Sequence, residues 1–254
     1  MEEEKNQENN SKNGKYTREE LVYLSKLYEK AQRYEDMTSS IIKFIELNPK
    51  LSKEERNILS AGYKDILMDK RENWRFLNLM EKKELKKKSK QVIYIKEIKN
   101  HIEKEIKKIV DELHNLIDNN LLKNCEDKES KIFYLRLKAD HYRYLCEISN
   151  EKELEKNLSQ AEKYYKEAYD LANKELNLVN NERIGLALNF ALFYYEIKGN
   201  KKEGYNIAKN CFEETMKYFN DFEKFKAKDS LILIQLLKEN LIFWSSEMNE
   251  EEQN

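Results

Sequence analysis

The chain has 254 residues, of which 37% are charged and 40% hydrophobic, so it is long enough and apolar enough to build a core. One proline, Pro49, and five glycines leave too few turn residues for a strand-rich fold, which favours long helices joined by short polar loops. The 47 basic and 48 acidic residues give a net charge of −1, which argues against nonspecific binding of nucleic acid. Three scattered cysteines without a CxxC pair argue against a zinc site and suit a reducing compartment. We therefore predict a cytoplasmic protein, with the nucleus as a second location.

Both ends of the sequence are polar. Residues 1–15 are low in complexity and lack the apolar core of a signal peptide, so we predict a disordered tail there. Residues 249–254 predict a short acidic disordered tail. No apolar run between them approaches the ~20 residues that a membrane span needs. Residues 16–248 are predicted to form a single all-helical domain.

Helical periodicity is nearly continuous between the tails. It predicts nine helices, at residues 17–31, 34–48, 52–83, 91–123, 129–149, 156–175, 181–198, 201–220 and 227–247. Ser52 and Glu55 are spaced as a capping box at the start of the third helix. The lysine-rich run at residues 82–90 falls mainly between the third and fourth helices, where a solvated connection is the favoured interpretation and contact with nucleic acid the alternative.

Basic residues form a line on the third predicted helix, in the segment RNILSAGYKDILMDKRENWR at residues 56–75. At 100° per residue, Arg71 lies about 20° to one side of Lys64 and Arg75 about 20° to the other. No acidic residue stands three or four positions from Lys64 or Arg71, where surface cations usually find partners. The apolar residues of the same segment lie on the far side of the helix. For this helix taken alone, an ordinary solvated face is the favoured interpretation.

A second basic set lies in SKIFYLRLKADHYRYLCE at residues 130–147. Arg136 and Arg143 are again seven residues apart, and Tyr144 follows. Asp140 stands between the arginines at positions from which its carboxylate can hold both guanidinium groups. The alternative interpretation is a surface ion-pair ladder of little energetic value.

Amides interrupt the apolar faces of two later helices. One side of the seventh predicted helix carries Leu188, Asn189, Leu192, Tyr195 and Glu196, and one side of the ninth carries Leu233, Leu236, Asn240 and Trp244. An amide on an apolar stripe must find a hydrogen-bond partner or cost stability. A bond to a neighbouring helix and a bond to a ligand are equally good interpretations of each amide.

Catalytic motifs are absent from the sequence. There is no HExxH, no P-loop and no GxGxxG, and residues 111–114 give only one near-match to the Glu-x-x-His motif of di-iron bundles. We predict no enzyme activity, no metal and no cofactor. The stretch AEKYYKEAYDLANKE at residues 161–175 has the small and aromatic spacing of tetratricopeptide repeats, but nothing repeats at 34 residues. A tetratricopeptide-like scaffold that binds peptides independently of phosphate is the alternative function.

Four segments taken together resemble the 14-3-3 family of phosphopeptide-binding adaptors. They are EERNILSAGYK with Trp74 and Arg75, then SKIFYLRLKADHYRYL, RIGLALNFALFYYE and DSLILIQLLKENLIFW, and the resemblance runs from about residue 17 to 247. It implies nine antiparallel helices forming a cup with a concave amphipathic groove, usually paired into a dimer. It also implies an adaptor that recognises phosphoserine or phosphothreonine in client proteins and regulates them in signalling.

The resemblance also implies roles for individual residues. The phosphate would meet Lys64, Arg71, Arg143 and Tyr144. Asn189 and Asn240 would bind the peptide backbone, and the remaining peptide-binding positions are Arg75, Arg136, Leu188, Leu192, Glu196, Leu233, Leu236 and Trp244. The dimer seam would place Leu27 and Ala31 against Leu77, Met80 and Ile98, with Arg33–Glu105 and Asp36–His101 as ion pairs. Because His101 stands where the family has lysine, and histidine is mostly neutral at pH 7, we expect a homo- or heterodimer that is weaker than the family norm and sensitive to pH.

Overall fold

The computed structural model describes residues 16–220 and 228–253, and the regular structure in those ranges is entirely helical. The described part contains nine α-helices, which confirms the predicted all-α class. They are α1 (Arg18–Lys30), α2 (Tyr34–Leu47), α3 (Lys53–Lys86), α4 (Val92–Leu116), α5 (Lys128–Ile148), α6 (Glu151–Glu175), α7 (Asn181–Leu192), α8 (Lys201–Asn220) and α9 (Lys228–Gln253). A π-helical segment, Ile117–Leu121, and a 3₁₀ turn, Leu122–Asn124, follow α4, and a second π-helical segment, Phe193–Ile197, continues α7.

Three helices are longer than the sequence predicted. Helix α6 begins at Glu151 because the Asn150 side chain accepts hydrogen bonds from the backbone N–H of Lys152 and Glu153, both at 3.1 Å. Helix α3 continues to Lys86, so the first half of the lysine-rich run is helical rather than part of a connection. Helix α9 continues to Gln253, so the prediction of disorder is wrong for residues 249–253. The predicted tail at residues 1–15 and residue 254 lie outside the described residues.

Contacts divide the chain into an N-terminal unit, residues 1–125, and a C-terminal unit, residues 126–254. Helices α1–α4 belong to the first unit and α5–α9 to the second. The prediction of one domain over residues 16–248 stays a prediction.

A capping box fixes the start of α3 in the N-terminal unit. The predicted box is confirmed, because the Ser52 hydroxyl accepts from the Glu55 N–H and the Glu55 carboxylate accepts from the Ser52 N–H at 2.8 Å. Arg18 then ties α1 to the end of α2 by donating to the carbonyl oxygens of Phe44 and Asn48, at 2.7 and 2.6 Å. The Phe44 carbonyl also accepts from the Asn48 N–H at 3.2 Å, whereas the Asn48 carbonyl lies beyond the end of α2, where no further turn of helix supplies a donor.

Aromatic rings fill much of the core of the C-terminal unit. Tyr165 of α6 is fully buried and lies 5.3 Å from Phe190 and 5.4 Å from Phe193, measured between ring centroids. Tyr195 stacks on Trp244 of α9 at 4.3 Å with the rings nearly parallel. These contacts join α6, α7, the π-helical segment and α9 around one apolar interior.

Gly204 allows α8 to approach the end of α7 closely. A β-carbon at this position would lie 2.7 Å from the Ala191 carbonyl oxygen and 2.8 Å from the Tyr195 nitrogen, which are backbone atoms that a rotamer change cannot move. We expect Gly204→Ala to lower the free energy of unfolding by about 1–3 kcal/mol. Urea denaturation followed by circular dichroism measures the change.

Gly185→Ala is the matched control, since Gly185 also lies inside a helix of the same unit. Its β-carbon would meet only a Leu233 methyl at 3.8 Å, an ordinary contact. Replacing glycine with alanine inside a helix should then raise the free energy of unfolding by up to ~1 kcal/mol. Equal changes in the two variants would contradict the close approach at Gly204.

Candidate functional site

The basic line of α3 is displayed on the surface of the N-terminal unit. Lys64 and Arg75 are exposed and Arg71 is half-buried. The opposite face of the helix is buried, with Leu59 and Tyr63 completely covered. Two bonds to α4 hold that face in place: the Tyr63 hydroxyl donates to Glu112 at 3.2 Å, and the Trp74 indole donates to Glu103 at 2.8 Å. The amphipathic division predicted for this helix is therefore confirmed.

The second basic set is organised around one buried carboxylate in the C-terminal unit. The oxygens of Asp140 lie 3.4 Å from Arg136 and 3.6 Å from Arg143, so Asp140 holds both arginines as predicted. The Tyr165 hydroxyl donates to Asp140 at 2.5 Å and accepts from Arg143 Nε at 3.1 Å. The Asn189 amide donates to both carboxylate oxygens, at 3.0 and 3.1 Å. We call these five side chains the Asp140 network.

Burial and charge together fix the protonation states in the Asp140 network. Burial alone lowers the pKa of the Arg143 guanidinium, but the Asp140 carboxylate and the hydrogen bond to the Tyr165 oxygen outweigh that effect and raise the pKa above its usual range. Burial also raises the pKa of Tyr165 well above its usual range, and the Asp140 carboxylate adds to the increase. Arg143 is therefore a cation and Tyr165 a neutral donor at any physiological pH.

Arg136 and Arg143 differ in how far their donors are already used. Arg136 makes a two-bond contact with Glu182, at 2.5 and 3.1 Å, in addition to its contact with Asp140. The two side chains are about equally exposed, at 17% and 18%, but among the described residues Arg143 donates a hydrogen bond only to Tyr165 and lies 3.6 Å from Asp140. Arg143 also lies 4.9 Å from the centre of the Tyr144 ring, which is itself half-buried. Arg143 and Tyr144 are thus adjacent, and Arg143 is the better placed of the two arginines to donate to a ligand.

The two amides have different surroundings. Asn189 is tied to the neighbouring helix α5 through its amino group, which leaves its carbonyl oxygen as an acceptor. Asn240 is half-buried, and within the described part of the chain its amide makes no hydrogen bond. Asn189 is therefore oriented by the protein itself, whereas Asn240 is not.

The predicted apolar wall is only partly on the surface. Leu192 and Leu233 are half-buried and Leu236 is 41% exposed, whereas Leu188 is buried. Trp244 is only 2% exposed and stacks on Tyr195, and its predicted place on the apolar wall stays a prediction.

Sequence reasoning also missed residues that the structure brings to this unit's site. Ile232, one turn before Leu236 on α9, is 61% exposed. Tyr165 and Glu182 hold the two arginines, and no local pattern identified them.

Glu196 is exposed within the π-helical segment that follows α7. A π-helical turn shifts the helix register, so the 100° spacing that grouped Glu196 with Leu192 does not apply across it.

The predicted dimer residues lie on the N-terminal unit. Leu27, Met80 and Ile98 are 42%, 37% and 53% exposed, while Ala31 is exposed and Leu77 half-buried. The charged members of the set pair within the chain. Arg33 contacts Asp36 at 2.5 Å, and Glu105 contacts His101 at 3.3 Å and Lys70 at 2.8 Å.

Residues 16–220 and 228–253 contain no group of three or more histidine, cysteine, aspartate or glutamate side chains placed to hold a metal ion. No helix there is both long and apolar enough to cross a membrane.

Comparison with known proteins gives a consistent result. The family model described as 14-3-3 protein matches residues 24–245. The 14-3-3 protein eta of Homo sapiens is 36% identical over 238 residues, which cover 92% of this chain and 97% of that protein. The eta proteins of Bos taurus and Mus musculus match with the same identity and the same coverage.

Proposed function

The chain belongs to the 14-3-3 family, and from that premise we propose that Lys64, Arg71, Arg143 and Tyr144 bind the phosphate of a phosphoserine or phosphothreonine in client proteins. The chain is a phosphopeptide-binding adaptor, and nothing in its structure or relatives favours a tetratricopeptide-like scaffold. The observation that carries the assignment of residues is the Asp140 network, which presents Arg143 beside Tyr144 with its charge fixed.

Phosphate is well matched to these side chains. It carries about −1.5 to −2 charges at neutral pH and has three strong acceptor oxygens. Arginine presents a planar fork of donors, lysine a compact charge and the tyrosine hydroxyl an uncharged donor. Hydrogen bonds between ionised partners are about twice as strong as neutral ones. An unphosphorylated serine makes no such set of bonds, so selectivity follows from the bonds that it fails to make.

The rest of the client segment needs partners for its backbone and side chains. The Asn189 carbonyl oxygen, which the Asp140 network holds in place, would accept from a backbone N–H of the peptide. Asn240 would act as a second backbone partner, and Leu192, Leu233 and Leu236 would contact apolar side chains. Arg75, Arg136 and Glu196 would select charged residues near the phosphate.

Fluorescence anisotropy tests whether peptide binding depends on phosphate. One labelled arginine-rich peptide is titrated with the chain, once with phosphate on its central serine and once without. We expect saturable binding of the phosphorylated form only. Equal binding of the two forms would overturn the phosphate proposal and leave a general peptide-binding scaffold.

We also propose a dimer formed through the exposed apolar residues Leu27, Met80 and Ile98 of the N-terminal unit. We expect this dimer to be weak, because Arg33 already pairs with Asp36 and His101 with Glu105 within the chain. The bridges that the family resemblance implies between chains would have to replace these pairs, so they would add little to the association.

Sedimentation velocity measures the strength of this dimer. We expect a reversible equilibrium between monomer and dimer that shifts towards monomer on dilution. A tight dimer that does not dissociate on dilution would contradict the expectation.

A further inference from the structure

The basic line of α3 continues well beyond the residues assigned to phosphate. With Lys64 as reference and 100° per residue, Lys82 lies at the same angle around the helix and Lys86 about 40° away. Arg71 and Arg75 lie within about 20° of the same reference. From Lys64 to Lys86, five cations therefore follow one side of a single continuous helix.

No carboxylate shares this side of α3. The acidic residues of the helix are Glu54, Glu55, Asp65, Asp69, Glu72, Glu81 and Glu84, and each lies about 80° or more from Lys64 around the axis. Leu77 and Met80, which the resemblance assigns to the dimer seam, lie on the opposite side, where Leu77 is half-buried and Met80 is 37% exposed. The cationic side of α3 is thus separate from both the acidic positions and the dimer surface.

Lys82 and Lys86 are exposed, and within the described residues neither takes part in an ion pair. Neighbouring lysines do find partners. Lys87 contacts Glu84 at 2.8 Å, and Lys99 contacts Glu81 at 2.5 Å. The carboxylates close to the end of α3 therefore pair with lysines that do not belong to its cationic side.

The spacing of these lysines fits an extended peptide. At 1.5 Å per residue, the backbone of Lys82 is about 16 Å and that of Lys86 about 22 Å from Arg71 along the helix axis. An extended chain advances about 3.3–3.6 Å per residue, so this distance spans about five to seven residues.

We propose that Lys82 and Lys86 bind acidic side chains of the client, located about five to seven positions from its phosphorylated residue. This deepens the proposed function and rests on it. The cations form a single row that continues from the residues assigned to phosphate, and such a row matches one extended peptide. Binding to a membrane surface would need a broad face of cations. Exposed carboxylates supply the opposite charge, and the contact sets a preference among phosphorylated clients rather than the ability to bind phosphate.

Three phosphopeptides with one shared central sequence test this. One carries three glutamates at the fifth to seventh positions before the phosphoserine, one carries them at the same distances after it, and one has glutamine at all these positions. We expect one glutamate peptide to bind about threefold to tenfold more tightly than the glutamine peptide, as two exposed ion pairs would give. Which of the two glutamate peptides binds more tightly shows whether the client residues before or after the phosphoserine lie along Lys82 and Lys86.

Lys82→Glu and Lys83→Glu form a matched pair of variants. Both lysines are exposed and unpaired within the described residues, but Lys83 lies about 100° away from the cationic side. Lys82→Glu should reduce the preference for the glutamate peptide, and Lys82→Glu combined with Lys86→Glu should abolish it. Lys83→Glu should leave it unchanged, and the glutamine peptide should bind all variants alike.

The results that overturn the inference are distinct from failure of the proposed function. Equal affinity for all three peptides, or an equal loss in Lys83→Glu, overturns the acidic preference while phosphate dependence remains. Loss of phosphate dependence in the glutamine peptide rejects the proposed function itself. Tighter binding of a single-stranded 20-nucleotide DNA than of either glutamate peptide, lost in Lys82→Glu, assigns these lysines to nucleic acid and also overturns the inference.

Discussion

Arg71→Glu is expected to lower the affinity for a phosphorylated peptide by about 100-fold or more. The change removes charge-assisted hydrogen bonds worth roughly 1.5–3 kcal/mol and places a carboxylate beside the phosphate. Because Arg71 is half-buried and has a contact within the chain, the free energy of unfolding should fall by about 1 kcal/mol, which leaves the variant folded. Anisotropy titration of the labelled phosphopeptide measures the affinity, and urea denaturation measures the stability.

Lys83→Glu is the matched control for this charge reversal. It lies on the same helix and is exposed, but stands about 100° around the axis from Lys64 and about 18 Å along the axis from Arg71. It should retain affinity within about twofold, since surface charges at this distance are screened by salt. If Arg71→Glu bound the phosphopeptide as well as Lys83→Glu does, Arg71 would not be a phosphate ligand.

Features of the site that lie within one helix could be predicted from the sequence, whereas contacts between helices could not. The basic line and its buried opposite face were predictable because both follow from the 3.6-residue period of one helix. The relation of Asp140 to Arg136 and Arg143 was predictable for the same reason. The contacts of Tyr165 with Asp140 and of Arg136 with Glu182 join residues 25 and 46 positions apart, which no helical period relates.

Depth of burial was also beyond the reach of periodicity. The pattern places Trp244 on one side with Leu233 and Leu236, but only the position of Tyr195 on a different segment decides that Trp244 is covered. Gly62 is a further example. A glycine inside a helix costs up to ~1 kcal/mol of helix propensity, yet a β-carbon at this position would lie 2.7 Å from Cδ1 of Ile41. The glycine leaves space for the Ile41 side chain of α2, which no period of α3 predicts.

Asp140→Ala is expected to be the most damaging single change in the C-terminal unit. Asp140 is buried and is the acceptor shared by Arg136, Arg143, Tyr165 and Asn189. Removing one side of a buried ion pair leaves uncompensated charge and typically costs about 3–5 kcal/mol. Glu54→Ala provides the contrast, because Glu54 contacts Lys26 at 2.6 Å but is 68% exposed, so its loss should cost at most about 1 kcal/mol.

A double-mutant cycle decides whether Asp140 also positions the phosphate ligand. If Asp140 acts on the client through Arg143, then Asp140→Ala weakens phosphopeptide binding in the otherwise unaltered chain but has little further effect once Arg143 is alanine. A purely structural role predicts additive losses, since the two changes would then act on binding independently. Titrations made at a temperature where every variant is folded, verified by circular dichroism, separate these cases. Additive losses would leave Asp140 as a stabilising residue only, and strong coupling would make its carboxylate the group that sets the Arg143 guanidinium for phosphate.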